Sequence, residues 1–372
     1  MSESVNFWKY AINEKCQDAL ICYLLNFEET RNKFFECCGI KGDILIEEDQ
    51  NSEKSPIKLQ HKKIDILVET NNNYIIIEDK IDSTEHDNQL KKYVGAVKEE
   101  NKEGKVIHVC YVKSGYLSRQ EKRNITKSLS EIDFSMRNLH FIDLSELLEI
   151  VKLAKSNTII TQWIAKYEKE LENQNNIIDD IKRDINQKNY KSLYVKVFKN
   201  EKDYLQPYLD ILTEKIRECS SFKQEDVEWQ IAGYGTAHIQ FKQKEIPMDK
   251  GITSYNFYLM CRKNNPELVL KQHFYDVFED NNFENKDRIK ISGYSEAKVN
   301  ILKKNIENID KKIKTLNSNL DSNEKNLWKK INIKDKGRLM LCQKQLNPAD
   351  NLIDVLEKQE KNNIEEIFSI LN

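Results

Sequence analysis

Two acidic residues and one lysine near the ends of apolar segments are the residues of this sequence best suited to chemistry. Asp65 lies in an alternating segment, and Glu78-Asp79-Lys80 closes a nearly continuous apolar run. Because side chains alternate along a strand, Glu78 and Lys80 point to one face and Asp79 to the other. If the two strands pair across the turn at 71–73, Asp65 lies near Glu78. The sequence therefore predicts a small site with two carboxylates and one amine.

Such a site favours a divalent cation. Two neighbouring carboxylates repel each other unless a cation lies between them, and Mg²⁺ prefers hard oxygen ligands together with water. A bound metal ion polarises a phosphoryl oxygen and lowers the pKa of its water, while an ammonium stabilises the developing negative charge. The residues predict phosphodiester hydrolysis with Mg²⁺, for which Mn²⁺ can substitute. The alternative is a structural ion pair between Asp65 and Lys80, which we disfavour because charges buried without a function are costly.

The elements that position these residues follow an α/β order. A helix is predicted from about Val5 to Phe27, and Ser83 or Thr84 is predicted to cap another that runs to about Glu100. Strands are predicted at 43–47, 57–69, 74–78, 105–113 and 139–142, separated in part by helical segments. Parallel strands need such crossovers, so we expect one α/β core.

The residues from about Val5 to Ile142 resemble the PD-(D/E)XK nuclease superfamily. The resemblance is carried by Lys-Ile-Asp-Ile-Leu-Val-Glu around Asp65, Ile-Ile-Ile-Glu-Asp-Lys-Ile around Glu78, and Gln-Leu-Lys-Lys-Tyr from Gln89. It is closest to bacterial members that are often associated with defence. Ile64 stands where the superfamily's name has proline. The resemblance implies a restriction-endonuclease-like core, in which helices flank a mixed sheet.

The resemblance also implies roles for individual residues. The metal ligands would be Asp65, Glu78, the main-chain carbonyl of Asp79, and Glu14 from the first helix, whose role Glu47 or Glu48 could take instead. Lys80 would lie at the nucleophile. Gln89 and Tyr93 match a helix motif of the family, and their spacing of four places them on one helix face.

The chain is long enough for two domains. Its 372 residues exceed what a single core usually serves. We expect a nuclease domain at 1–154, a helical connector at 155–200, and an α+β recognition or oligomerisation domain at 201–372. The net charge of −2 neither favours nor excludes a nucleic-acid partner. The eight cysteines form no Cys-x-x-Cys pair and are expected to be reduced.

The second domain contains a long heptad-patterned helix. Apolar residues alternate at spacings of three and four and continue seven residues further on, at Val299, Leu302, Ile306, Ile309, Ile313, Leu316, Leu320 and Leu327. We favour a helix that packs on the sheet of its own domain. The alternative is a homodimer through the 299–327 helix.

These observations lead to one expected function and one rival. We expect a cytoplasmic, Mg²⁺-dependent endonuclease that acts on DNA rather than RNA in bacterial defence. No segment has the length of apolar residues that a membrane span requires. The rival is a catalytically inactive nuclease fold that binds nucleic acid or another protein.

Overall fold

A computed structural model describes most of the first half of the chain and the main elements of the second. The described residues are 7–9, 13–40, 55–85, 87–155, 157–218, 227–232, 236–248, 251–261, 266–276, 289–290, 296–318, 329–330, 340–347, 351–356, 364–367 and 371. The predicted strand at 43–47, with Glu47 and Glu48, lies outside them. The chain divides into two compact units, residues 1–177 and residues 178–372. The division falls within the segment expected to connect two domains.

The first unit is built on a five-stranded mixed sheet. Its strands are β1 (Ile57–His61), β2 (Ile64–Glu69), β3 (Asn73–Lys80), β4 (Val106–Lys113) and β5 (Leu139–Ile142), and they are hydrogen-bonded in that order. The first three strands are antiparallel, and β3, β4 and β5 are parallel. The predicted mixed sheet is confirmed.

Helices cover both faces of this sheet. They are α1 (Glu14–Leu25), α2 (Glu28–Cys37), α3 (Gln89–Glu100), α4 (Arg119–Ser130), α5 (Leu144–Lys152) and α6 (Thr158–Asn186), which begins in this unit. Apolar residues of α1, α2, α5 and α6 share a core with one sheet face, and those of α3 and α4 share a core with the other. The central strand β3 is therefore buried on both sides, as its apolar run predicts.

The N-terminal helix differs from the one predicted. Instead of one helix from Val5 to Phe27, the described chain has α1, which begins at Glu14, and a second helix, α2. Asn13 caps α1 by accepting from the backbone N–H of Cys16. The buried Phe34 and Phe35 anchor α2 in the core, which is a tertiary contact that a helical period alone did not reveal.

The expectation that all cysteines are reduced was wrong for one pair. Cys38, just after α2, and Cys110, in the middle of β4, form a disulfide that spans 72 residues of sequence. Cys16, Cys22, Cys37 and Cys261 are free. No local motif marks the pair, because the packing of α2 on the sheet brings the two thiols together.

The second unit combines helices with an antiparallel sheet. Its elements are the end of α6, α7 (Tyr190–Lys199), α8 (Glu201–Glu218), β6 (Glu228–Ala232), β7 (Thr236–Met248), β8 (Gly251–Cys261), β9 (Glu267–Asp276), β10 (Ile289–Lys290), α9 (Glu296–Ser318), β11 (Lys329–Lys330), β12 (Met340–Gln345) and α10 (Leu352–Asp354). The strand order is β11-β12-β9-β8-β7-β6, and β10 pairs with β9. In the part of the chain that the structure describes, no helix has the length and apolar character to cross a membrane.

The heptad-patterned segment is the helix α9. Ile306, Ile309, Ile313 and Leu316 are buried within the single chain. Asn305, on the same helix, donates a hydrogen bond to the Tyr255 hydroxyl of β8 at 2.8 Å. This favours packing of the helix on its own sheet. Leu320 and Leu327 lie outside the described residues, and the homodimer stays a prediction.

Candidate active site

The predicted reactive residues meet at one end of β2 and β3. Ile66 pairs with Ile77, so Asp65 and Glu78 are the next residues toward that end of the sheet. On the other side of β3, the parallel register sets Lys80 beside Lys113 of β4. The turn between β2 and β3 therefore sets the register that the chemistry depends on.

Lys80 lies among acidic groups. Its ammonium forms a short hydrogen bond with Glu78 Oε1 and lies 4.0 Å from Asp65 Oδ2. Asp65 Oδ2 also accepts from the backbone N–H of Asp79 at 3.1 Å. The structure thus brings the side chains of Asp65, Glu78 and Lys80 together, as the alternation of the strand predicts.

Burial makes this site costly for negative charge. Glu78 is 1% exposed. Burial, followed by repulsion from Asp65, raises the pKa of Glu78 to about 8 in spite of the contact with Lys80. Burial acts to lower the pKa of Lys80, but the attraction and hydrogen bond of Glu78 together with the attraction of Asp65 and Glu14 outweigh it, and the pKa is raised. The second oxygen of Glu78, Oε2, is buried without a hydrogen-bond partner. A carboxylate in this state gains from a bound cation.

Asp18 of α1 is a site residue that the motif analysis did not select. It is 1% exposed, and burial, then Asp65, then Glu14 raise its pKa to about 7. Its Oδ1 atom is buried without a partner. The sequence did contain a signal, because Asp18 follows Glu14 by four residues and so shares its helix face.

Glu14 has a different place from the one expected. Its Oε1 atom accepts from the Ser83 hydroxyl at 2.5 Å and from the backbone N–H of Ile81 at 3.4 Å. These contacts attach α1 to the segment that follows Lys80. Glu14 is still near enough to raise the pKa of Asp18. Its predicted role as a metal ligand stays a prediction, and Asp18 is the more deeply buried acid of the helix.

The side chain of Asp79 points away from Glu78, as the alternation predicts. It is fully buried, and its Oδ1 atom accepts from Gln17 Nε2 of α1 at 2.7 Å. Burial, followed by repulsion from Asp18, raises the pKa of Asp79 well above its usual value. The side chain thus joins β3 to α1, and the predicted metal ligand of this residue is its main-chain carbonyl.

Gln89 and Tyr93 lie together at the start of α3. Gln89 Nε2 is 3.5 Å from the Tyr93 hydroxyl. Burial, then Glu78, then Asp65 raise the pKa of Tyr93 to about 12, so this hydroxyl lies within electrostatic reach of both carboxylates. The helix begins at Gln89 with Asn88 as its N-cap, so the prediction that Ser83 or Thr84 caps it was wrong.

A buried polar network borders the site on β4 and was not predicted. Lys113, which is 1% exposed, donates to the carbonyl oxygen of Ser83 and contacts Glu121 Oε1 at 3.2 Å. The Tyr111 hydroxyl donates to the same Glu121 oxygen at 2.5 Å. Gly115 permits close approach, because a Cβ atom there would lie 2.1 Å from the carbonyl oxygen of Ile81. Together these contacts hold the segment after Lys80.

The carboxylate oxygens of Asp18, Asp65 and Glu78 are the kind of ligand that a hard cation selects. The buried oxygens Glu78 Oε2 and Asp18 Oδ1 have no hydrogen-bond partner. Among the described residues, no three His, Cys, Asp or Glu side chains form a ready-made metal cluster. Of the ligand set implied by the resemblance, the structure brings the side chains of Asp65 and Glu78 together at Lys80, whereas Glu14 accepts from Ser83 and from the Ile81 backbone. The carboxylates of Asp65 and Glu78 and the unpartnered Asp18 oxygen fit a hard cation.

Comparison with known families gives one match. A model of the PD-(D/E)XK nuclease superfamily matches residues 41–196. The comparisons with curated proteins and with solved structures found no match. The matched range contains Asp65, Glu78, Lys80, Gln89 and Tyr93, whereas Glu14 and Asp18 precede it.

Proposed function

Because residues 41–196 belong to the PD-(D/E)XK nuclease superfamily, we propose that this chain is a Mg²⁺-dependent endonuclease that hydrolyses phosphodiester bonds of DNA. The observation that carries the proposal is the group of Asp65, Glu78 and Lys80, in which Glu78 and Lys80 are buried and Asp65 is half-buried. Two carboxylates and an ammonium at one strand end provide both a cation site and a positive group for a reacting phosphate.

Each residue of the group has a separate task in this mechanism. Asp65, Glu78 and the Asp79 carbonyl would hold the divalent ion, with Asp18 close by on α1. When bound, the ion polarises the phosphoryl oxygen and lowers the pKa of water. Lys80 holds its ammonium near the nucleophile and stabilises the negative charge that develops on the phosphate oxygens. The backbone N–H of Asp79 keeps Asp65 oriented.

Substrate and biological setting are the finer parts of the proposal. DNA rather than RNA, and a role in bacterial defence, follow from the resemblance of the motifs around Asp65 and Glu78. The second unit would then recognise the substrate, a trigger or a second copy of the chain. Its antiparallel sheet is compatible with each of these three partners. A cleavage assay on several nucleic acids identifies the substrate.

The proposal predicts that Lys80→Ala or Asp65→Ala abolishes cleavage and leaves the fold intact. The assay compares plasmid, linear duplex, single-stranded DNA and RNA, each with Mg²⁺, Mn²⁺ or EDTA. We expect cleavage of DNA with either metal, none with EDTA, and a loss of at least 100-fold in either variant, the order of effect of a lost charge-stabilising group. Lys33→Ala is the control, because Lys33 pairs with Glu36 on α2.

Two results would contradict the proposal. One is full activity of the Lys80→Ala protein on any substrate. The other is binding of nucleic acid by the wild-type protein without cleavage under every condition, which would favour the inactive binding module.

A further inference from the structure

Gln60 of β1 reaches into the site although no motif includes it. The pairs Leu59–Ile66 and His61–Ile64 flank it and set it across from Asp65. Its side-chain nitrogen Nε2 donates to Asp65 Oδ1 at 3.1 Å and to Asp18 Oδ2 at 3.3 Å. One amide group thus connects an acid of the sheet with an acid of α1.

The backbone of Gln60 is in an unfavourable conformation. Its φ is +53°, in the left-handed region, although it lies within a strand. The next positive φ values, 51° at Lys62 and 72° at Lys63, belong to the tip of the hairpin, where such values are normal. A left-handed conformation is costly for a residue with a Cβ atom, and it tends to persist where a functional arrangement requires it.

The chemistry of the amide suits this bridging position. A glutamine NH₂ group has two hydrogens and can donate to two acceptors at once. Hydrogen bonds to carboxylates are stronger than those between neutral groups. Because the amide carries no charge, it can hold Asp18 and Asp65 in place and still leave their negative charge for a cation.

We propose that Gln60 is a positioning residue of the metal site, whose amide orients Asp18 and Asp65 toward the same divalent ion. This inference rests on the proposed function, since it assumes that the ion binds there. Groups that orient metal ligands in this way typically contribute 10-fold to 100-fold in metal affinity. Gln60 is also exposed, so its replacement leaves the core unchanged.

The test is Mn²⁺ binding by calorimetry to the full-length Gln60→Ala and Gln60→Gly proteins. We expect the dissociation constant to rise by about 10-fold or more in both. Glycine accepts the left-handed backbone, so the Gln60→Gly protein should keep or exceed the wild-type Tm. A loss of affinity without a loss of stability separates positioning from a purely structural role.

Leu59→Ala is the matched control, because Leu59 lies in the same strand and is 50% exposed. Its Mn²⁺ affinity should equal that of the wild type. An unchanged or tighter Mn²⁺ affinity in Gln60→Gly would overturn the inference, since the amide would then be idle or would compete with the ion. If the wild-type protein neither binds Mn²⁺ nor cleaves nucleic acid, the proposed function fails as well.

Discussion

Five acidic side chains compete for a few donors around Lys80. Glu78 contacts Lys80, Asp65 accepts from Gln60 and from the Asp79 backbone, and Asp79 accepts from Gln17. Asp18 shares the Gln60 amide and Glu14 accepts from Ser83. Burial, followed by repulsion from Asp65, raises the pKa values of Glu78 and Asp18, and the few donors around these five buried or half-buried acids do not offset it.

This charge surplus predicts that the metal-free protein loses stability as the pH rises. The pKa of Glu78 is raised to about 8 from 4.5, and that of Asp18 to about 7 from 3.8. The folded state therefore holds more protons than the unfolded state between about pH 4 and pH 8, and its stability falls across that window. The expected loss is on the order of 1 kcal/mol per unit of pKa shift, as an upper bound for such coupled groups.

The measurement is urea unfolding of the wild-type and Glu78→Gln proteins in EDTA from pH 5 to pH 8. The Glu78→Gln protein should show a shallower decline and be the more stable of the two at pH 8. Added Mg²⁺ should restore wild-type stability at pH 8, because it binds the ionised carboxylates. Identical pH profiles for the two proteins would contradict this explanation.

Single residues were predictable from sequence where they belong to a motif. Asp65, Glu78 and Lys80 come together because strand alternation and one turn are readable in the sequence. Asp18 had the readable signal of its spacing from Glu14. Gln60 had no such signal in the sequence, because its position depends on a left-handed φ that a glutamine residue does not predict. Lys113 and Glu121 are eight residues apart, and only the packing of α4 brings them together.

At the scale of elements, the segment from Ile81 to Asn88 connects Lys80 to α3. Glu14 holds it from α1, and Lys113 holds it from β4 through the Ser83 carbonyl. These tertiary contacts involve residues that were predicted to begin the helix. The helix α3 instead begins at Gln89, and Ser83 and Thr84 do not cap it. The strands predicted at 74–78, 105–113 and 139–142 were easier to predict, since an apolar run or an alternating period records local burial directly. The single strand predicted at 57–69 was wrong, because these residues form two antiparallel strands, β1 and β2.

We expect the buried Lys113–Glu121 pair to position the segment that follows Lys80 rather than to stabilise the fold. Replacing a buried ion pair with apolar groups is often neutral or stabilising, whereas removing one partner leaves an uncompensated charge. We therefore predict that the double variant Lys113→Met/Glu121→Leu still folds, with a loss of about 1–3 kcal/mol because the buried Tyr111 hydroxyl loses its acceptor, but cleaves at least 10-fold more slowly. The cause would be a less ordered segment after Lys80.

The checks are thermal unfolding, amide hydrogen exchange of residues 81–88, and steady-state cleavage. We expect faster exchange in that segment and a fall in kcat rather than a rise in KM. Lys127→Met on the exposed side of α4 is the control. Wild-type kcat in the double variant would show that the pair does not position the reactive lysine.

At the scale of the whole molecule, the two units differ in how much of their structure the sequence predicts. In the first unit, an α/β order and a motif agree with the mixed sheet. In the second, the sequence predicts only an α+β class, and the structure supplies the long strands β7, Thr236–Met248, and β8, Gly251–Cys261. Strands that follow each other in the sequence pair with each other, but no residue in them indicates which ligand the second unit binds.

The burial of α9 predicts a stability effect rather than an assembly effect. Ile309 is fully buried, so Ile309→Ala should destabilise the second unit by about 2–5 kcal/mol. Sedimentation velocity should give the same mass for variant and wild type, while thermal unfolding detects the loss. Lys304→Ala, at an exposed position of the same helix, is the control. A drop from dimer to monomer at unchanged Tm would instead support the homodimer through the 299–327 helix.

The two faces of β3 also limit which changes of length the gene can tolerate. One face carries Glu78 and Lys80, and the other carries Asp79 toward Gln17 in the core. A codon inserted within the strand would reverse the face to which each following residue points, so that the side chains of Glu78 and Asp79 exchange faces. A codon inserted into the turn at 71–72 leaves that parity untouched. Natural insertions and deletions in descendants of this gene should therefore occur in the turn rather than in the strand.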